Sequence, residues 1–378
     1  MDLKEGYKIT EVGVIPREWD VCEVKDAYQI CNNLRLPISE NKRKNMQGKY
    51  PYYGPTKIQD YINEYRLDGE YVLIGEDGDH FLKWLTMPMT LLASGKFNVN
   101  NHAHVIKGIK NDGKWFYWYF NHKDITAYLT RQGASRYKLN KATLNTIKIP
   151  IPSVSEQKVI SKYLFDVDNL INSLNRLLEK KINIKQAAMQ ELLTGKKRID
   201  EYKEEWKDEK LGQICMITTG KKDVNEGSVD GKYPFFTCSK NVSNSDTFSF
   251  DTEAILIAGN GDVGKMHYYN GKFEAYQRTY VLYNFKVYLP YLFHYLNFNL
   301  LKKLNEDKVG STIPYIVLSQ LSDFPIRIPN DVDEQKIIAK ILSDMDLEIE
   351  EIQKKLDKYK AIKRGMMQEL LTGRIRLI

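Results

Sequence analysis

The chain has 378 residues, 42% hydrophobic and 28% charged, which suits a water-soluble protein of about two or three cored domains. Its 56 basic and 49 acidic residues leave a formal charge of +7, which permits a polyanionic partner without demanding one. No apolar run is long enough to span a bilayer and the opening Met1-Asp2-Leu3-Lys4-Glu5 carries no apolar leader, so neither membrane insertion nor secretion is expected and a cytoplasmic location is.

Residues 1–152 read as a first globular domain. It opens on Gly13-Val14-Ile15-Pro16-Arg17-Glu18-Trp19, and its apolar run at 71–74 predicts a strand. Trp115-Phe116-Tyr117-Trp118-Tyr119-Phe120 predicts a helix buried beside the sheet. Residues 153–195 predict a long helix. Ser153-Val154-Ser155-Glu156 supplies an N-cap residue with Glu three positions on, the pattern of a capping box, and Gly195 suits a left-handed stop. The intervening Ile160, Leu164, Val167, Ile171, Leu174 and Leu178 recur in steps of three and four, a coiled-coil seam that Lys181 and Lys185 then interrupt. The charge-rich segment 196–210 reads as a linker without a core.

Residues 211–330 read as a second globular domain, with strands expected at 254–258 and 279–283 and a buried helix over 291–298. Residues 331–378 predict a second long helix and a short tail. Asp331-Val332-Asp333-Glu334 repeats the cap, Gly373 the stop, and Ile338, Leu342, Met345, Ile349, Ile352 and Leu356 the seam. The second helix copies the first at a constant offset of 178: Glu156-Gln157-Lys158 returns as Glu334-Gln335-Lys336, and Met-Gln-Glu-Leu-Leu-Thr-Gly ends both at Gly195 and Gly373. A loop tolerates insertions, whereas a helix held in register does not. The economical arrangement therefore packs the two helices against each other within the chain.

The domains also match, more weakly. Trp19 answers Trp206, Tyr50-Pro51-Tyr52-Tyr53 answers Tyr233-Pro234-Phe235-Phe236, and Leu73-Ile74-Gly75-Glu76-Asp77-Gly78-Asp79 answers Leu256-Ile257-Ala258-Gly259-Asn260-Gly261-Asp262. Gly95-Lys96-Phe97 answers Gly271-Lys272-Phe273, and Gln132-Gly133 answers Val309-Gly310. The shared positions are scaffold types and the rest differ, as in two readers of different targets. The fold class is α+β (mixed α/β) in each domain, with the helices appended.

No residue pattern points to catalysis. Gly259-Asn260-Gly261-Asp262-Val263-Gly264-Lys265-Met266 resembles a phosphate loop but ends in Met266 where a magnesium-binding hydroxyl is needed, and residues 267–272 read as strand and turn. A glycine-rich turn bringing backbone close to DNA or to another strand fits better. Cys22, Cys31, Cys215 and Cys238 form no Cys-x-x-Cys, and neither a metal site nor a cofactor is expected in this chain. Basic and planar polar residues gather in the variable stretches. Lys42, Arg43, Lys44, Asn101, His102, Arg131, Arg136 and Lys138 are the candidates in the first domain, and Lys221, Lys222, Lys240, Asn260, Lys265, Gln277 and Arg278 in the second. Lysine suits phosphates, whereas Arg, Asn and Gln can reach base edges.

The combination resembles the specificity subunit of type I restriction–modification systems. The resemblance rests on the Gly-Val-Ile-Pro-x-x-Trp opening, on Ile149-Pro150 and Ile328-Pro329 ahead of Glu-Gln-Lys, and on the twice-occurring Met-Gln-Glu-Leu-Leu-Thr-Gly. The second half departs from it, keeping only Glu205-Trp206 of the opening. The resemblance implies two similar target-recognition domains, each reading half of a bipartite double-stranded DNA sequence. It implies an antiparallel intramolecular coiled coil with pseudo-twofold layout, on which methyltransferase subunits dock and to which restriction and translocase subunits are added. S-adenosylmethionine, ATP and magnesium would then belong to those partners, and this chain would catalyse nothing. The residues alone leave open the recognition subunit of a type II restriction–methylation system, a self-sufficient nuclease or ATPase, and a coiled-coil scaffold that binds no DNA.

Overall fold

A computed structural model of the chain describes residues 5–132, 136–199, 201–306 and 315–377. Gly133, Val309 and Gly310, matched above between the halves, and Met1, Asp2, Leu3 and Lys4 lie outside the described residues. The chain divides into two compact units, Met1–Leu174 with Lys355–Ile378, and Asn175–Lys354. Each unit takes one globular head and a stretch of both long helices.

In the first unit, β1 (Tyr28–Ile30), β2 (Gln47–Tyr53), β3 (Ile58–Ile62), β4 (Leu67–Asp68), β5 (Tyr71–Gly75), β6 (Thr90–Ala93), β7 (Lys96–Val99) and β8 (Ala103–Gly108) form two sheets, ordered β6-β5-β8-β1 and β3-β2-β7-β4. The aromatic run forms α1 (Gly113–Asn121), started by Asp112, whose carboxylate accepts from the Lys114 backbone N–H at 2.9 Å. Trp115, Phe116, Trp118 and Phe120 are wholly buried in the head's core. The strands Asp20–Glu23 and Lys148–Ile151 pair antiparallel, so the head's two ends meet where α2 (Val154–Leu192) begins. Ile160 and Leu164 of α2 belong to the same core.

The second unit repeats the plan. Its strands are β9 (Met216–Thr219), β10 (Tyr233–Phe236), β11 (Ser243–Ser245), β12 (Phe250–Ala258), β13 (Met266–Ala275) and β14 (Thr279–Tyr283), in one sheet ordered β9-β14-β12-β13-β10-β11. That is the order β1-β8-β5-β6 followed by β7-β2-β3, with β13 unbroken where Ser94 and Gly95 part β6 from β7. A parallel pair occupies the same place in both units, Asn98 opposite Tyr52 and Glu274 opposite Phe235. The buried helix is α3 (Leu289–Glu306), and Ile338, Ala339 and Leu342 of α4 (Val332–Leu370) enter this core with Met189 and Leu192 of α2 and Leu193 just after it.

The helices run antiparallel within each unit, because partner numbers fall on one as they rise on the other. Asp168 pairs with Lys363 in the first unit; Lys181 pairs with Glu348 at 2.6 Å, and Lys185 with Asp346, in the second. The lysines that interrupt the seam are thus ion-paired across it. The seam residues are buried or half-buried, with Ile171, Ile352 and Leu356 at 7%, 7% and 2% exposure. Gly195 and Gly373 both take φ +69°, the left-handed stop expected of them.

Two expectations need correction. The segment 196–210 is not all linker: Trp206 is buried in the second core, and Lys207–Lys210 is a strand paired with Pro325–Ile328. Its charges misled because this strand lies at an edge, where polar residues are solvated. Nor is the capping box complete. Ser153 Oγ accepts from the Glu156 backbone N–H at 3.2 Å, but the Glu156 carboxylate turns instead to Trp19, whose Nε1 donates at 2.9 Å, and to Arg376. Glu334 likewise accepts from Arg198, Nε at 2.8 Å and Nη2 at 2.9 Å, and from Trp206 Nε1 at 3.3 Å. The next residue clamps the head: Gln157 Oε1 accepts from the Asp112 backbone N–H and Gln335 Oε1 from that of Tyr288, both at 2.9 Å.

Candidate nucleic-acid interface

In the second head, four turns converge at one end of the sheet, stitched by backbone bonds. Gln277 N–H donates to Lys222 O at 2.9 Å, Tyr276 N–H to Phe236 O at 3.0 Å, Asp262 N–H to Cys238 O at 3.1 Å and Gly259 N–H to Arg278 O at 2.9 Å. The candidates Lys221, Lys222, Lys240, Asn260, Lys265, Gln277 and Arg278 all lie on these turns. A Cβ on Gly259 would stand 2.5 Å from Arg278 O, so the glycine turn is needed to close one loop on another. The turn runs straight into β13, a strand where a phosphate loop would need a helix N-terminus.

Side chains divide the set. Lys221, Lys240, Lys265 and Arg278 are exposed, and no ion pair joins their side chains to an acid among the described residues, although the Lys240 backbone N–H donates to Asp262 Oδ2 at 2.9 Å. Gln277 is exposed and donates to Asp223 at 3.3 Å. Lys222 is different: its Nζ donates to Ser245 Oγ at 3.0 Å and Thr247 Oγ1 at 2.7 Å and lies 3.9 Å from buried Glu274. It serves the fold.

The first head gathers a network of opposed charges at the matching end. Glu76 N–H donates to His102 O at 2.8 Å, Leu139 N–H to Glu76 O at 2.7 Å and Asn100 N–H to Tyr53 O at 3.0 Å. Glu76 is ion-paired with Arg35, and Lys138 Nζ stands 3.4 Å from it. Burial pushes the Glu76 carboxyl up, but Arg35, then His104 and Lys138, hold it below the ordinary range. His104 is wholly buried, donating through Nε2 to Leu139 O at 2.7 Å, so Nδ1 is left to accept from Asn32 at 2.8 Å. Burial pushes its imidazole below the ordinary value, opposed by the Leu139 carbonyl and Glu76. Asn101 is exposed, Arg35 Nη1 donates to its carbonyl at 3.1 Å, and His102 Nδ1 meets Asp77 at 2.9 Å.

The remaining candidates border this network. Arg43, on the short helix Glu40–Lys44, donates to Ile38 O at 2.6 Å, pairs with Asp60 at 3.2 Å and lies 5.0 Å over Tyr52. It pins the helix to the head, and with Asn101 and His102 it lines one open hollow. Lys42 and Lys44 point to solvent from that helix. Arg131 is exposed on Thr130–Gln132, whose partner strand Arg136–Lys138 pairs in turn with Asp77–Gly78. Sequence reasoning missed Arg35, Glu76 and Asp77. The available signal was the match of Glu76-Asp77-Gly78-Asp79 to Gly259-Asn260-Gly261-Asp262, since an approach to DNA or to another strand is expected of the second turn and was not carried across to the first.

The chain matches the family model described as the type I restriction modification DNA specificity domain twice, over residues 16–185 and 203–359. It is 39% identical over 168 residues to the EcoDI specificity subunit of Escherichia coli, an alignment covering 44% of this chain and 37% of that subunit. A putative type I restriction enzyme specificity subunit of Haemophilus influenzae is 28% identical over 382 residues, covering 91% of this chain and 94% of the other. The fold superposes on the crystal structure of a type I restriction–modification S subunit from M. genitalium with a TM-score of 0.72 at 16% identity, covering 98% of each chain.

Proposed function

Since the chain belongs to the type I restriction–modification DNA specificity family, we propose that each head reads half of a bipartite duplex DNA target while the helix pair sets the distance between the halves. One observation carries this reading: two heads with one strand order present, at the same end, turns of different chemistry. The second head offers the cations Lys221, Lys240, Lys265 and Arg278 beside Gln277; the first offers Asn101 and His102 over an Arg35–Glu76–Lys138 network. Free cations suit phosphates, and preorganised planar polar groups suit base edges. Arg43 and Lys222 support the reading face from below.

The chain acts as a recognition subunit whose chemistry lies in its partners. Methyltransferase subunits, carrying S-adenosylmethionine and modifying adenine, dock on the helices, where Leu170, Leu177, Ile182, Ile184 and Leu347 are large, apolar and exposed. Restriction and translocase subunits with ATP and magnesium complete the nuclease. No helix among the described residues is long and apolar enough to cross a membrane, and the assembly works in the cytoplasm.

The test is a head exchange. Replacing residues 20–148 by the matching part of a relative, with the methyltransferase subunit present, should change one half-site in a genome-wide map of methylated adenine and leave the other as it was. A map with both halves changed removes the independence of the heads.

A further inference from the structure

We propose that Arg198 and Arg376 are positioning residues, each latching a head to the helices that carry it and so fixing where that head's reading turns lie along the helix axis. The proposal rests on the two-headed reading above. Each arginine stands three residues after the glycine that ends a long helix, at the same offset of 178 as the helices themselves. Each reaches the first turn of the opposite helix and grips a glutamate there that is 0% exposed at 156 and 1% exposed at 334. The same carboxylate accepts from the indole that opens the head, Trp19 or Trp206. One side chain thus joins the end of one helix, the start of the other and the edge of the head.

The chemistry makes the joint exacting. A carboxylate held out of water needs both its cation and its hydrogen bonds, so arginine, glutamate and tryptophan hold or release together. A planar guanidinium forks onto two oxygens and fixes direction as well as distance, which an ammonium does not. The neighbouring Gln157 and Gln335 tie the same helix turn to the loop before the head's buried helix. The latch is built twice even though the hairpin Tyr7–Thr10 with Gly13–Pro16, which precedes Trp19, belongs to an opening the second half lacks.

The experiment uses the assembled methyltransferase complex on DNA in which the spacer between the half-sites varies by single base pairs. Wild type should prefer one spacer by roughly tenfold or more, and Arg376→Ala should cut that preference to about threefold while both half-site sequences stay required. Arg376→Lys, which keeps the charge and loses the fork, should assemble like wild type yet relax the spacer in the same direction. Arg374→Ala, altering an exposed neighbour paired with Glu369 at 3.5 Å, should leave the spacer preference at the wild-type value. An unchanged preference in a folded Arg376→Lys complex overturns the latch, and so does an equal loss at every spacer. Should the alanine variant fail to assemble, the lysine variant decides. A wild-type complex indifferent to spacer length overturns the two-headed reading itself, and the latch with it.

Discussion

Glu156 and Glu334 show how little of a residue's role its neighbours in sequence reveal. Position three after a Ser or Asp cap suggests a bond back to the helix start, yet both carboxylates leave that bond for an indole and a guanidinium more than a hundred residues away along the chain. The reading-face candidates divided for the same reason. Arg43 and Lys222 looked like free surface charges until Asp60, Ser245 and Thr247 came into range, and Arg35, isolated in sequence, proved central. His294 carries a titration: its Nε2 meets Ser343 Oγ at 3.0 Å and its Nδ1 lies 3.9 Å from Asp346. Burial, helped by Lys185 and opposed by Asp346, pushes this imidazole down to about 4. Below the unfolded value of about 6.5 the unfolded chain takes up a proton that the folded one refuses, so stability falls with pH until about 4, by about 3 kcal/mol at most. Thermal melts at pH 7 and 4.5 should show a smaller acid-induced drop in His294→Gln than in wild type.

At the scale of the element, a single apolar stripe serves two purposes. Ile160 and Leu164 of α2, and Ile338 and Leu342 of α4, end in head cores, whereas Ile171, Ile352 and Leu356 are buried outside those clusters along the helices. Periodicity exposed the stripe but not its division, because an apolar side chain satisfies either neighbour equally. Leu356→Ala should therefore cost about 2–4 kcal/mol in denaturant unfolding, since Leu356 is 2% exposed. Leu347→Ala, nine positions earlier on the same helix and 60% exposed, should change stability by about 0.5 kcal/mol or less. Equal costs at the two positions would mean that burial does not govern this helix.

For the whole molecule, function depends on register. Four residues inserted into α2 after Leu178 would lengthen it by about 6 Å and turn the rest of the helix by roughly 40°. Methylation mapping should then show the half-site spacing shifted by about one or two base pairs, or assembly lost, given a rise of about 3.4 Å per base pair. Unchanged spacing with full activity would remove the helices as a ruler.

By itself the sequence determined the two helices, their caps and stops, their seam, and the matched scaffold of the heads, because turns, caps and periodicities depend on residues a few positions apart. The strand pairing at 207–210, the joint of Trp19, Glu156 and Arg376, and the company kept by each candidate on the reading face were decided only by tertiary structure. Those features require antiparallel helices and four distant turns to meet, and a buried charge or hydrogen-bonding group takes its role from whatever partner the fold brings within about 3 Å.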